Sequence, residues 1–187
     1  MTQKKIPNVV SDEETIFRNI YSPYHVKKNK VRPTALKPKL TSPDEDDEKK
    51  RNNKVSTTRK DYASLAFCKQ HALRYAHDRT YAGFLSVKAI DIRKACADIL
   101  AKPTNDNPAH ANIIFEQVNL PLEEEVDDLV DTKLRYSMTM IVEAGEYIDS
   151  SKVEELLEED AKNYPESGCY EYNDEGNDPT SNRCEEA

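Results

Sequence analysis

Two long stretches of this 187-residue chain lack the apolar side chains from which a core is built. Residues 37–54 join an acidic run to a basic run without an apolar face, and residues 163–187 have almost no aliphatic side chains. Burial cannot offset the conformational entropy that ordering such segments costs. Hydrophobic residues make up 37% of the chain, against roughly 45–50% apolar in a typical globular domain. The core is therefore expected from residues 15–36 and 55–162, which suffice for one domain.

The apolar pattern up to residue 120 predicts a small α+β domain. Alternation of apolar and polar residues predicts short strands at 16–20, 31–36, 83–89 and 111–116, with Pro33 limiting the second to a sheet edge. Helical spacing predicts helices over 59–77, capped within Ser56–Thr58, and from Asp91 to Ile99. This order favours a sheet with helices packed on one side, over residues 15–120. Residues 1–14 are expected as a flexible arm, and residues 37–54 as a charged loop.

The pattern after Pro121 predicts an acidic helical extension over 121–162 and a disordered acidic tail over 163–187. One helix should end near Gly145, and a capping box at Ser151–Glu154 opens a shorter one. The apolar side of this helix pair is typical of a surface that docks on a partner's groove. Its candidate contact residues are Val126, Leu129, Val130, Leu134, Leu156 and Leu157.

Charge is distributed very unevenly along the chain. Residues 1–60 carry a net charge of +7, residues 61–118 carry +1 and residues 119–187 carry −16, for a total of −8. The acidic end would steer the chain toward a protein partner with a basic surface. The basic end suggests phosphate or nucleic-acid contacts, with Tyr21 and Tyr24 nearby to stack on bases. The candidate cations are Lys27, Lys28, Lys30, Arg32, Lys37 and Arg59, and the acidic tail would compete for them as an autoinhibitory segment.

Two histidines beside prolines are the best candidates for catalysis. With Arg18, His25 and His110 could carry out general acid–base chemistry on RNA or a nucleotide, or hold a phosphate. In the alternative interpretation, His25 faces solvent and His110 opens a strand and bonds to a nearby backbone group. Arg18, Ser56-Thr57-Thr58 and Glu123–Glu125 also match the residue types of an ADP-ribosyltransferase. We interpret the hydroxyl run instead as a helix cap and the glutamates as a first helical turn.

Several classes of site and segment are not expected. Cys68 and Cys96 sit among apolar neighbours and are predicted to be buried, whereas Cys169 and Cys184 lie in the polar tail. The cysteines and histidines lack metal-ligand spacing, so no metal is expected, and no cofactor is expected either. The chain has no 18-residue apolar run and begins without the apolar core of a signal peptide. We therefore expect a cytoplasmic protein without a membrane span.

Four short motifs between residues 20 and 115 resemble a family of short uncharacterised bacterial proteins. They are Ser22-Pro23-Tyr24-His25-Val26, Ala35-Leu36-Lys37-Pro38, Val55-Ser56-Thr57 and Asn107-Pro108-Ala109-His110-Ala111. The family's Val/Ala-rich strand corresponds to Phe84–Ala89. The charged insertion at 37–54 and everything after Gln117 depart from the family pattern. The resemblance implies a compact domain and a bacterial origin, and it implies no activity.

These features together predict a non-enzymatic interaction or accessory protein, such as a subunit of a toxin, defence or mobile-element system. One alternative is a small nucleotide- or RNA-processing enzyme that uses His25 and His110. The other is a nucleic-acid-binding protein with an autoinhibitory acidic tail.

Overall fold

The computed structural model describes residues 6–38, 53–115 and 124–163 of the chain, with side chains in the third range described over 132–159. The strands are β1 (Thr15–Ser22), β2 (Val26–Lys27), β3 (Lys30–Val31), β4 (Lys54–Arg59), β5 (Thr80–Lys88), β6 (Asp98–Ala101), β7 (His110–Ile114) and β8 (Glu146–Asp149). The helices are α1 (Leu65–Arg74), α2 (Ala89–Lys94), α3 (Glu124–Ala144) and α4 (Ser150–Asn163). This composition confirms the α+β class.

Six strands form an antiparallel sheet in the order β6-β7-β4-β1-β5-β8. The longest pairing joins β1 to β5, from Thr15 opposite Lys88 to Ser22 opposite Thr80, with an irregularity between Ile20 and Tyr21. On the other side, β1 pairs with β4 at only two positions, Ile16 with Arg59 and Phe17 with Thr58. The two central strands therefore separate after a short contact, and this separation places the candidate site.

The sheet is covered by helices on both faces, and the prediction that they pack on one side is wrong. Neighbouring residues of a strand point to opposite faces, and Ile16 and Phe17 of β1 belong to different apolar clusters. The larger cluster packs the sheet against α2 and α3, and the smaller one packs it against α1 and α4. A central strand that is apolar at successive positions needs cover on each side.

The run around Ser56–Thr58 forms a strand and does not cap a helix. It lies in β4, which pairs with β7 from Lys54 opposite Ile114 to Thr58 opposite His110. The helix predicted over 59–77 is the shorter α1, capped by Ser64, whose side chain accepts a hydrogen bond from the backbone N–H of Phe67. The β-branched threonines suit a pleated strand as well as a cap, and the pairing with β7 decides between the two.

Two further segments differ from their predictions. Residues 31–36 do not form one strand, because the chain turns at Pro33 into a 3₁₀-helix over Pro33–Leu36. The helix predicted from Asp91 to Ile99 is α2, which begins at Ala89 and ends at Lys94. Ile99 lies in β6. Cys96 follows α2 in the left-handed region with a φ of 57° and is exposed, whereas Cys68 is buried as predicted.

Residues 6–14 pack against the domain and do not form a free arm. Ile6 and Val10 are buried in the two clusters. The Arg59 side chain donates to the backbone oxygens of Pro7 and Val9, and it forms a buried ion pair with Glu14. Ile6 and Val10 pack against residues that are distant in the sequence. The local sequence of this segment therefore indicates only a polar arm.

The segment predicted as a helical extension supplies part of the sheet and the core. Strand β8 pairs with β5, and Val153 of α4 is fully buried in the smaller cluster. The helix predicted to end near Gly145 is α3, which ends at Ala144. The predictions for residues 1–5, 39–52, 116–123 and 164–187, including the acidic tail and Cys169 and Cys184, lie outside the described residues. None of the helices described is long and apolar enough to cross a membrane.

Candidate functional site

A cavity of about 340 Å³ opens where β1 and β4 separate. Its walls come from β1, β4, the C-terminal end of α1, the turn before β5 and the segment from Thr104 to His110. We call it the cationic pocket. Its charged and titratable lining residues are Arg18, Lys37, Lys54, Arg79, His71, His77, His110, Tyr21, Tyr75 and Asp106, and its hydroxyl groups come from Ser56, Thr57, Thr58 and Thr104.

Arg18 bridges the gap between the separated strands. Its Nη1 donates to the backbone oxygen of Ser56 at 2.9 Å, and its Nε donates to that of Ala35 at 2.9 Å. These bonds hold the guanidinium at the pocket wall without neutralising it, and no carboxylate among the described residues pairs with it. Desolvation lowers the Arg18 pKa to about 10, which leaves the side chain charged at neutral pH. A desolvated cation without a counter-charge attracts an anion.

Asp106 is the single carboxylate among the described lining residues, and its oxygens already have partners. Tyr75 donates its hydroxyl to Oδ2, and Thr104 donates to Oδ1 at 2.7 Å. These two hydrogen bonds, in that order, lower the Asp106 pKa to about 2. The pocket therefore joins four cationic side chains to one carboxylate that is engaged elsewhere, and its net character is positive.

The loop that carries Asp106 is tied to the sheet beside the pocket. Asn107 is buried, and its Nδ2 donates to the Thr58 hydroxyl on β4 at 2.9 Å. Thr104 and Asn107 close the loop by exchanging two backbone hydrogen bonds, at 3.1 and 3.2 Å. The Asp106 side chain is thus held in a defined position at the pocket.

His110 lines the pocket, and its backbone contact defines the protonation state of its ring. Its Nδ1 lies 2.6 Å from the backbone oxygen of Lys102. A carbonyl oxygen only accepts hydrogen bonds, so Nδ1 carries the proton and Nε2 of the neutral ring keeps its lone pair. Burial lowers the His110 pKa below its ordinary value, so the neutral form prevails at neutral pH. A neutral imidazole of this kind can accept a proton from a bound ligand.

His71 is a second imidazole close to Asp106. Its Nε2 is 3.5 Å from Oδ2 of Asp106, and its buried Nδ1 has no hydrogen-bond partner among the described residues. Its ring stacks on that of Phe67, with centroids 5.8 Å apart, and is tilted by 49° against the Tyr75 ring, whose centroid is 4.8 Å away. Desolvation is the largest effect on the His71 pKa and lowers it. The pocket thus has two imidazoles near one carboxylate.

His25 does not line the pocket. Its Nδ1 accepts a hydrogen bond from the backbone N–H of Tyr21 at 3.2 Å. Burial, and then the charges of Arg18 and Arg79, lower the His25 pKa to about 4. Arg79 lies over the Tyr21 ring, 4.4 Å from its centroid. His25 is therefore a neutral acceptor that supports β1.

The structure brings together only part of the predicted site. Arg18, Lys37 and His110 line the pocket, whereas His25 does not. Arg59 is buried against Glu14. Lys27, Lys28, Lys30 and Arg32 are exposed on or beside the β2–β3 hairpin. Of the ADP-ribosyltransferase pattern, Arg18 and Ser56 meet in the pocket, Glu123 lies outside the described residues, and the side chains of Glu124 and Glu125 are not described.

Sequence reasoning missed most of the ring of titratable groups. His71 and His77 are six residues apart, and that spacing does not indicate that both line a pocket formed by β4 and the segment before β7. His77 has a φ of 51°, a backbone state rare for residues other than glycine, and this turn brings Arg79 to the pocket. Asp106 and Tyr75 had no local signal, because their contact is formed only by the fold.

The predicted partner-docking residues are divided between the core and its edge. Leu134 is buried in the larger cluster, and Leu156 and Leu157 pack half-buried against the smaller one. The side chains of Val126, Leu129 and Val130 are not among those described. The described members of this set therefore hold α3 and α4 to the sheet.

Comparison of the chain with protein-family models, with curated proteins and with solved structures finds no match. Among the described residues, no group of three or more histidine, cysteine, aspartate or glutamate side chains could hold a metal ion. Lys37, Ser56 and His110, which belong to three of the four short motifs, line the pocket, and the bacterial resemblance itself stays a prediction.

Proposed function

We propose that the cationic pocket binds the phosphate of a nucleotide, and that the protein is an enzyme of nucleotide or RNA chemistry. The observation that carries this proposal is Arg18, a desolvated guanidinium at the pocket wall with no carboxylate partner among the described residues. A phosphate would supply the missing negative charge, and its oxygens would accept hydrogen bonds from the remaining N–H groups of Arg18. Lys37 and Arg79 add positive charge to the same cavity.

The shape and aromatic content of the pocket favour a nucleotide over a bare phosphate ion. A volume of about 340 Å³ lies at the lower end of the range typical of small-molecule sites. The Tyr75 side chain is 41% exposed, so part of its ring is open for a base to stack on. The phosphate would lie toward Arg18 and the base toward Tyr75.

His110 is the group that would transfer a proton. In its neutral form, Nε2 would take the proton of a water molecule or ribose hydroxyl as that oxygen forms a bond to the phosphorus. The bond from phosphorus to the leaving oxygen would break in the same step, and the leaving oxygen would take a proton from water. His71 and Asp106 are further titratable residues that line the same pocket. This assignment replaces the pairing of His25 with His110, because His25 does not line the cavity.

Binding is tested by calorimetry with AMP, ADP and adenosine. The two nucleotides should bind, and adenosine should bind at least about tenfold more weakly, because a charge-assisted hydrogen bond contributes roughly 1.5–3 kcal/mol. Lys37→Gln and Arg79→Gln should weaken nucleotide binding. Arg74→Gln is the matched control, since Arg74 is exposed on α1 and does not line the pocket. Equal affinity for adenosine and AMP would contradict the proposal.

Catalysis is tested separately, by chromatography of nucleotides and short RNA after incubation with the protein. His110→Asn should abolish any turnover that the wild-type protein shows and leave AMP affinity within about threefold, because an amide keeps the polarity without the basic nitrogen. A pocket that binds nucleotides but never converts one would mean a binding protein.

The interaction-protein hypothesis remains a prediction, and α4 is where it can be tested. Glu158 and Glu159 are exposed on this helix. A basic partner that uses this surface should lose affinity for a Glu158→Lys/Glu159→Lys variant and keep it for Arg18→Gln. A variant that lacks residues 122–187 does not test the hypothesis, because it also lacks β8 and the sheet loses a strand.

A further inference from the structure

A short basic hairpin adjoins residues that line the cationic pocket. Strands β2 and β3 pair through Val26 with Val31 and Lys27 with Lys30. The two residues between them, Lys28 and Asn29, have φ angles of 51° and 58°, which is the conformation of a tight type I′ turn. Val26 and Val31 pack against the larger apolar cluster, so the base of the hairpin is held by the core.

The hairpin and its flanks carry only positive charge. Residues 23–38 contain five lysines and arginines and no acidic residue. All five side chains are exposed, and none pairs with a carboxylate of the described residues: Lys27, Lys28, Lys30, Arg32 and Lys37. This local concentration contrasts with the chain's net charge of −8. A patch of this kind binds phosphates independently of base sequence.

The hairpin is continuous with the pocket at both of its ends. At one end, the backbone N–H of His25 donates to the backbone oxygen of Tyr21 at 2.9 Å. At the other end, the chain passes through the Pro33–Leu36 turn to Lys37. Tyr21 and Lys37 both line the pocket. Since a strand rises about 3.3 Å per residue, the tip lies roughly 10 Å beyond the hydrogen-bonded pair of His25 and Arg32.

We propose that this hairpin binds the backbone of a single-stranded polynucleotide, one nucleotide of which enters the cationic pocket. The inference rests on the proposed function and specifies its substrate class as a polynucleotide. Lys27, Lys28 and Lys30 contact the phosphates next to the bound nucleotide. Tyr24 is 60% exposed at the base of the hairpin and supplies a ring for an unpaired base. That ring favours a single strand over a duplex, whose bases are stacked on each other.

The test compares an oligonucleotide with a mononucleotide. Fluorescence anisotropy measures the affinity of the full-length protein for a labelled single-stranded RNA of about twelve nucleotides, and calorimetry measures its affinity for AMP. The variant Lys27→Gln/Lys28→Gln/Lys30→Gln should bind the RNA at least about tenfold more weakly. Its log–log salt slope should be smaller by about 2, because each phosphate contact with a single strand contributes roughly 0.7. AMP affinity should stay within about twofold.

A matched control neutralises three exposed lysines elsewhere on the domain, Lys94, Lys133 and Lys152. This control should leave RNA affinity within about threefold. An equal loss of RNA affinity in the control and the hairpin variant would overturn the proposal, because it would reflect net charge alone. Equal loss of AMP and RNA affinity in the hairpin variant would also overturn it, since the hairpin would then belong to the pocket itself.

The remaining outcomes separate the two proposals. If the wild-type protein binds AMP but not the RNA, the hairpin proposal fails and the nucleotide pocket stands. If it binds RNA through the hairpin but neither AMP nor ADP, the pocket proposal fails. If poly-glutamate binds as tightly as RNA and with the same dependence on the three lysines, the hairpin fits an acidic protein. That result would overturn the proposal that the hairpin binds a polynucleotide.

Discussion

The Nδ1 atom of His110 lies 2.6 Å from the backbone oxygen of Lys102, and this contact sets which ring nitrogen carries the proton. We expect ¹⁵N NMR spectra at neutral pH to show His110 as the neutral Nδ1–H tautomer. Lys102→Ala should preserve that tautomer, because the acceptor is a main-chain oxygen. A spectrum that shows the proton on Nε2 would contradict the proposed function, because Nε2 would then have no lone pair with which to accept a proton.

The His110 pKa predicts the acid limb of any pH–rate profile. Burial lowers this pKa below 6.5, so the basic form is present at neutral pH and is lost as the pH falls through the lowered value. Turnover should therefore be constant near pH 7 and should decline below it with a single protonation. A decline centred above 6.5 would assign the limb to a different group.

His25 should make the domain less stable in mild acid. Its pKa is about 4 in the folded chain against 6.5 for an ordinary histidine, so below pH 6.5 the unfolded state binds the proton first. Stability then falls as the pH drops from 6.5 toward 4. His25 alone should contribute a loss of about 2 kcal/mol between about pH 7.5 and 5.

Urea unfolding at several pH values measures this dependence. His25→Gln should reduce the pH dependence of the unfolding free energy by about that amount, whatever its effect at neutral pH. The other buried histidines add to the wild-type slope, so the difference between variant and wild type isolates His25. Identical slopes in the two proteins would show that His25 titrates normally.

The ion pair between Arg59 and Glu14 should contribute strongly to stability. Both side chains are buried, and Nε and Nη2 of Arg59 donate to the two carboxylate oxygens at 2.6 and 2.8 Å. Glu14→Gln leaves a buried guanidinium without its counter-charge, at an expected cost of about 3–5 kcal/mol in the unfolding free energy. The exposed pair of Lys152 and Glu155 is the control, and Lys152→Ala should cost no more than about 1 kcal/mol. Similar losses in the two variants would contradict the prediction.

Local patterns predicted the strands whose alternation survives in the fold. Ile16 and Ile20 share one face of β1, and the expected segment lies inside that strand. The run Ser56–Thr58 shows the limit of such patterns, because hydroxyl and β-branched side chains suit both a cap and a strand. Its pairing with β7, more than fifty residues away, decides the outcome. A local window contains no information on that pairing.

The candidate site was harder to predict than the fold for the same reason. Arg18 and His110 were singled out from their local sequence, and both reach the pocket. Asp106 and Tyr75 are 31 residues apart, and they meet because Asn107 ties its loop to β4. His25 was paired with His110 on chemistry alone. The fold instead places its ring nitrogen on the backbone of Tyr21.

Gly83 should tolerate no side chain, because β5 and β8 approach closely at this residue. It lies opposite Asp149 with a φ of +126°, a conformation that other residues rarely adopt. A Cβ atom there would lie 2.1 Å from the backbone oxygen of Ile148, so β8 would have to move. Gly83→Ala should therefore lower the unfolding free energy by more than about 3 kcal/mol. Ser86→Ala in the same strand is the control and should cost less than about 1 kcal/mol. Hydrogen exchange should show β8 amides losing protection in Gly83→Ala first, and full protection there would show that β8 does not pair with β5 as described.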